Sequence, residues 1–212
     1  MYFKRIFNLF LFFLIFQNNQ ILADNIDKFA IDGLTLIYDT ENIDDLESIG
    51  INAEDPDIFF QILIENPQIT TVQLNSEGGF QEDAYTISDL IIDFDLNTHV
   101  NGTCQSSCTI LFLAGNKRTV ERGSTLGFHQ LHWPAESQKL YYEYFLGTDW
   151  NDEFEYAEWV YNDAQATVLN DMKYLLERGV ESSFAIKTLQ ADPNDMWIPR
   201  RKELVKAGVI VE

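Results

Sequence analysis

The sequence predicts an α/β domain, and three observations carry that expectation. Strand-like and helix-like runs alternate along the chain from Gly33 onward. The β-branched run Ile69–Leu74 opens directly into Gly78-Gly79. A helical stripe of Ala84, Ile87, Leu90, Ile91 and Phe94 follows, which is the pattern of a right-handed crossover between parallel strands. Late in the chain, Asn151–Arg178 keeps Phe154, Ala157, Tyr161, Ala164, Val168, Met172 and Leu175 at helical spacing and ends at Gly179.

Taken in order, Asp24–Asp32 is a polar lead-in and Gly33–Tyr38 a first strand. The acidic stretch Asp39–Asp57 is an irregular connection with a short helix. Ile58–Glu65 is helical by its apolar spacing, and Pro67 ends it. Thr98–Asn101 is a short strand that stops at Gly102. Ser106–Leu113 opens a helix with hydroxyl residues at its start, and Gly115 stops it. Thr119–Gly123 is a short segment, and Ser124–Phe128 is a strand that leads into His129. Gln138–Gly147 is a tyrosine-rich amphipathic stretch. After the long helix come a second helix (Glu181–Leu189), a turn (Ala191–Asp195), a short strand (Met196–Ile198), a helix (Arg200–Ala207) and a terminal strand (Val209–Val211). No repeat or linker divides residues 24–212, which read as one domain.

Residues 1–23 read as a secretory signal. Lys4 and Arg5 form a basic start, Ile6–Phe16 an apolar run too short to span a bilayer, and Ala23 the expected cleavage site. The mature protein is therefore expected in the periplasm or secreted space, where ATP is absent. It touches a membrane only if the signal stays uncleaved. The 46% hydrophobic fraction argues for a packed globule, and the net charge of -20 argues against nucleic acid as a partner. Cys104 and Cys108 are the chain's 2 cysteines. In an exported chain they are expected to pair, provided the backbone turns between them. Two cysteines are half a tetrahedral ligand set, so no metal site is expected, and no cofactor either.

The chemistry-bearing residues gather around Gly102–Cys108. A serine hydroxyl needs a base in hydrogen-bond reach and donors aimed at the oxyanion it creates. Ser106 lies where a strand gives way to a helix, a place that exposes the side chain and frees N–H groups. Gly78 and Gly79 close the preceding strand, and His129 ends a later strand of the same sheet. Taken singly, Ser106 is equally a helix cap, His129 a structural histidine and the glycines turn residues. Ser107 is a rival nucleophile. The spacing is not that of the G-x-S-x-G elbow.

Four blocks resemble the Clp protease proteolytic subunit: Leu74-Asn75-Ser76-Glu77-Gly78-Gly79, Gly102-x-x-x-Ser106, Leu113-Ala114-Gly115 and Gly127-Phe128-His129-Gln130. The resemblance runs from Gly33 to the end and is greatest to exported relatives with cysteines around the serine. It implies a Clp/crotonase-like spiral of stacked ββα units with a long late helix. It also implies Ser106 as nucleophile, His129 as base, and the N–H groups of Gly78 and Ser107 as oxyanion donors. The third residue is implied to be Asp192, with Asp195 as the alternative. A homo-oligomer and a peptide or protein substrate follow from the same likeness. Glu77 stands where the family has proline, and export removes the family's ATPase partner. A non-catalytic scaffolding relative is the other expectation. A crotonase-like acyl-thioester enzyme is disfavoured, since no basic site for CoA phosphates is evident.

Overall fold

The computed structural model describes residues 28–42, 50–192 and 194–211. The expected signal, 1–23, lies outside them. The architecture is mixed α/β. Strands β1 (Phe29–Asp32), β2 (Thr35–Asp39), β3 (Thr71–Ser76), β4 (Asn97–Gln105) and β5 (Arg118–Val120) follow in that order across one sheet. A sixth strand, β6 (Thr125–Gly127), also pairs with β4. β1 and β2 form an antiparallel hairpin, and the later pairings between these strands are parallel. β4 is long enough to hold β5 along Thr98–Val100 and β6 along Thr103–Gln105.

Among the described residues seven helices accompany the sheet: α1 (Asp55–Glu65), α2 (Gln81–Asp93), α3 (Cys108–Ala114), α4 (Ala135–Phe145), α5 (Glu153–Glu177), α6 (Ser182–Thr188) and α7 (Arg201–Lys206). α3 is apolar on nearly every side and correspondingly all of its residues are buried. It packs beside α2 and β4 at the centre of a core that includes Leu36, Val72, Leu74, Ile87, Ile91 and Val100.

Several expected elements move. The lead-in before Gly33 contains strand β1, whose pairing with β2 is a tertiary fact invisible to local polarity. Gly102 does not end the strand: β4 runs through it to Gln105, and the register with β3 shifts between Leu74 and Ser76. The two expected closing strands shrink to isolated bridges, Phe128 with Trp197 and Arg118 with Val211. No helix among the described residues is long and apolar enough to cross a membrane.

Candidate active site

Parallel pairing brings the chemistry to one edge. Ser76 of β3 lies opposite Cys104 of β4, and Gln105 of β4 opposite Gly127 of β6. The residues that follow these three strands therefore leave the sheet together at its carboxyl end, where parallel sheets place their sites. They are the Gly78-Gly79 turn, Ser106 and His129.

Ser106 is held by local structure on both sides. Its N–H donates to Gly127 O at 3.0 Å, and its own carbonyl accepts from Thr109 N–H at 3.0 Å. Its φ is +52°, a left-handed conformation that a residue with a Cβ adopts at a cost of about 1–2 kcal/mol. Strain of this sort gathers where a side chain is aimed for use. The flanking Cys104 and Cys108 form a disulfide with Cα atoms 5.3 Å apart, and both residues are fully buried. An extended chain would carry those Cα atoms about 13 Å apart, so the bridge needs the reversal that Ser106 supplies.

His129 Nε2 stands 2.7 Å from Ser106 Oγ. Its Nδ1 stands 2.7 Å from Gln130 O. A carbonyl only accepts, so Nδ1 carries the proton and, in the neutral ring, Nε2 accepts the serine hydroxyl proton. The His129 ring is thus oriented by a backbone carbonyl. Asp192 sits in an exposed turn, and its Oδ1 accepts from Asn194 N–H at 2.8 Å and Asn194 Nδ2 at 3.2 Å. The preceding Ala191 O accepts from Gln130 N–H at 3.0 Å, so the Asp192 loop lies beside the histidine loop without its carboxylate reaching the ring. Asp195 is exposed and donates its N–H to Asp192 O.

Gly78 approaches Ser106 so closely that a Cβ there would lie 2.8 Å from Ser106 Cβ, and its φ of +106° disfavours other residues in any case. Its N–H donates to Ser76 Oγ at 3.1 Å. The Ser76 hydroxyl in turn accepts from Thr40 Oγ1 at 2.8 Å. The Ser107 side chain donates to Gly79 O at 2.9 Å, tying the start of α3 to the glycine turn. Ser107 is buried, and its N–H donates to no described residue. Glu77 points its N–H at Glu41 Oε1 and is exposed, away from the lining of the cavity.

Ser106, Ser107 and His129 open on a cavity of about 90 Å³. Apolar Ile110, Leu113 and Leu131 share its lining with Asp171 of α5. Asp171 escaped notice in the sequence, where it stands on the apolar stripe between Val168 and Leu175. A charged residue on an apolar stripe is the signal that marks it. Burial pushes its carboxyl above the ordinary value, while hydrogen bonds from Tyr85 and Gln81 oppose the rise. No cluster of His, Cys, Asp and Glu with the makings of a metal site occurs among the described residues.

Comparison with solved structures finds a similar chain in a ClpP1 mutant from Listeria monocytogenes. The match has a TM-score of 0.54 at 18% identity, and it covers 84% of this chain and 90% of that one. No family model and no curated protein matches. The fold is thus ClpP-like.

Proposed function

We propose that the chain is an exported serine endopeptidase that hydrolyses peptides through an acyl-enzyme. One observation carries the reading: the 2.7 Å contact between His129 Nε2 and Ser106 Oγ, with Nδ1 protonated against a carbonyl. Ser106 attacks the peptide carbonyl as His129 takes its proton, and His129 returns that proton to the leaving amine. Water then repeats the sequence on the ester. The free N–H of Ser107 faces the developing oxyanion, joined by Gly78 once its N–H leaves Ser76 Oγ. Asp192, one residue from the carbonyl that holds Gln130, is the group to support the imidazolium if its turn rearranges when substrate binds.

The buried disulfide supports an oxidising compartment, the periplasm or secreted space. No ATPase feeds the site there, so the substrates are short or unfolded peptides. The ClpP-like fold and the exposed apolar residues of α5 support assembly into a homo-oligomer. A fluorophosphonate probe tests the chemistry. Ser106→Ala is expected to abolish labelling, and His129→Ala to slow it by at least about 100-fold. Labelling that survives Ser106→Ala sinks the assignment.

The second reading is a non-catalytic oligomeric scaffold. It is favoured by the Gly78 N–H being engaged by Ser76 Oγ and by a carbonyl, in place of a carboxylate, on His129 Nδ1. Complete failure of the unmodified protein to label decides for it.

A further inference from the structure

The cavity beside Ser106 has a polar feature that acyl transfer does not use. Asp171 lines it together with Tyr85 and Gln81 of α2. Oδ1 accepts from Tyr85 OH at 2.7 Å and from Gln81 Nε2 at 3.0 Å. Oδ2 accepts from no described residue. It is not sealed away either, because Arg118 Nε is the one buried side-chain polar atom without a partner among the described residues. No lysine, arginine or histidine pairs with Asp171 among the described residues.

Two donors on one oxygen fix the carboxylate, and the second oxygen is left without a counter-ion. A half-withdrawn charge of this sort is costly until a cation reaches it. An apolar ligand would leave it dry and unpaired, and an anionic one would be repelled. Aliphatic Ile110, Leu113, Leu175 and Leu189 share the lining with Asp171, beside Phe128, Tyr174, Thr109 and Thr188. Apolar walls with one carboxylate complement a long hydrocarbon stem that ends in a cation. The net charge of -20 draws basic peptides toward the whole molecule.

We infer that Asp171 is the specificity-determining residue of this cavity, and that the favoured peptide seats a lysine or arginine side chain there with its cationic head on Oδ2. The inference rests on the peptidase reading for the identity of the ligand, but binding tests it without turnover. Equilibrium binding of capped tripeptides, Ac-Ala-Ala-Lys-NH2 against the norleucine analogue that lacks only the ammonium, is measured on the Ser106→Ala protein. The lysine peptide is expected to bind at least about tenfold tighter, the scale of one hydrogen bond to a charged group. Asp171→Asn, which keeps an acceptor for Tyr85 and Gln81, is expected to erase the difference. Equal binding of the two peptides, or a lysine preference that survives Asp171→Asn in protein of unchanged unfolding midpoint, overturns the inference. Fluorophosphonate labelling of unmodified protein separates the two ideas. Labelling without a lysine preference removes the inference and leaves the peptidase. A lysine preference without labelling keeps Asp171 as a basic-peptide determinant and removes hydrolysis.

Discussion

The edge that carries Ser106 and the arm that carries the aromatics are built on opposite terms. α3, directly behind the serine, has all of its residues buried. α4 has none, and α5 has only Leu175 buried along its whole length. The arm holds together by ring-on-ring packing of Trp133, Tyr141, Trp150, Tyr156 and Trp159, mostly within its own stretch of sequence. Near the Ser106 edge, α5 instead reaches the core through Tyr174, whose hydroxyl donates to Ile110 O at 2.7 Å. Burial from every direction fixes geometry at the serine. Local stacking orders the arm while leaving Phe154 76% and Tyr161 68% exposed.

The largest effect that sharpens this contrast is in stability. Phe112→Ala, in the fully buried helix, is expected to cost about 3–5 kcal/mol in urea unfolding. Phe154→Ala is expected to stay within about 0.5 kcal/mol for the monomer. Comparable losses at the two positions would break the contrast. The disulfide comes next. Its small loop predicts a loss of about 2 kcal/mol for the Cys104→Ala/Cys108→Ala pair, by the same assay. Fluorophosphonate labelling of that variant is expected to fall further than its stability does, because the bridge closes on either side of the strained serine. Unchanged labelling would mean that the turn holds without it.

The smallest effect is on pH dependence. Burial raises the Asp171 carboxyl in the folded protein, so the folded state keeps that proton to higher pH than the unfolded chain does. Its contribution to stability is therefore present below the ordinary carboxylate value and is lost as pH rises through the raised one. As pH rises above the ordinary carboxylate value, Asp171→Asn is expected to lose less thermal stability than the unmodified protein. An identical pH profile for the two would show that the carboxylate is better solvated than its surroundings imply.

Much of this was legible in the sequence where local pattern and tertiary role coincide. The crossover from Ile69 to Phe94 was readable because one strand, one turn and one helix each carry their own periodicity. The neighbours Ser106 and His129 were readable because each follows a strand of a parallel sheet. The stripe on α5 was read as helical, and it is. Its apolar spacing did not say which end would be covered: Val168 is 46% exposed and Leu175 only 8%. The left-handed φ of Ser106 had no sequence signal, since glycine marks such positions and serine does not. The run of β4 through Gly102 was hidden for a related reason. The space that a Cβ would need there is taken by Asn75 Oδ1. That side chain accepts the Thr103 N–H at 2.9 Å.

Arg118 bears on the order in which the molecule can close. Its guanidinium is buried, and burial brings its pKa down to about 10. It donates to three carbonyls: Leu113 O at 3.0 Å, Arg178 O at 2.9 Å and Gly208 O at 2.7 Å. The last lies 90 residues further along the chain. A chain made from its amino end thus holds this cation with two of its three compensating oxygens, those of Arg178 and Gly208, still to come. Burying Arg118 is costly until those closing residues supply their carbonyls. A chain cut short of Gly208 therefore leaves the buried Arg118 guanidinium without one of its three acceptors, a cost felt inside the molecule and not only at its end.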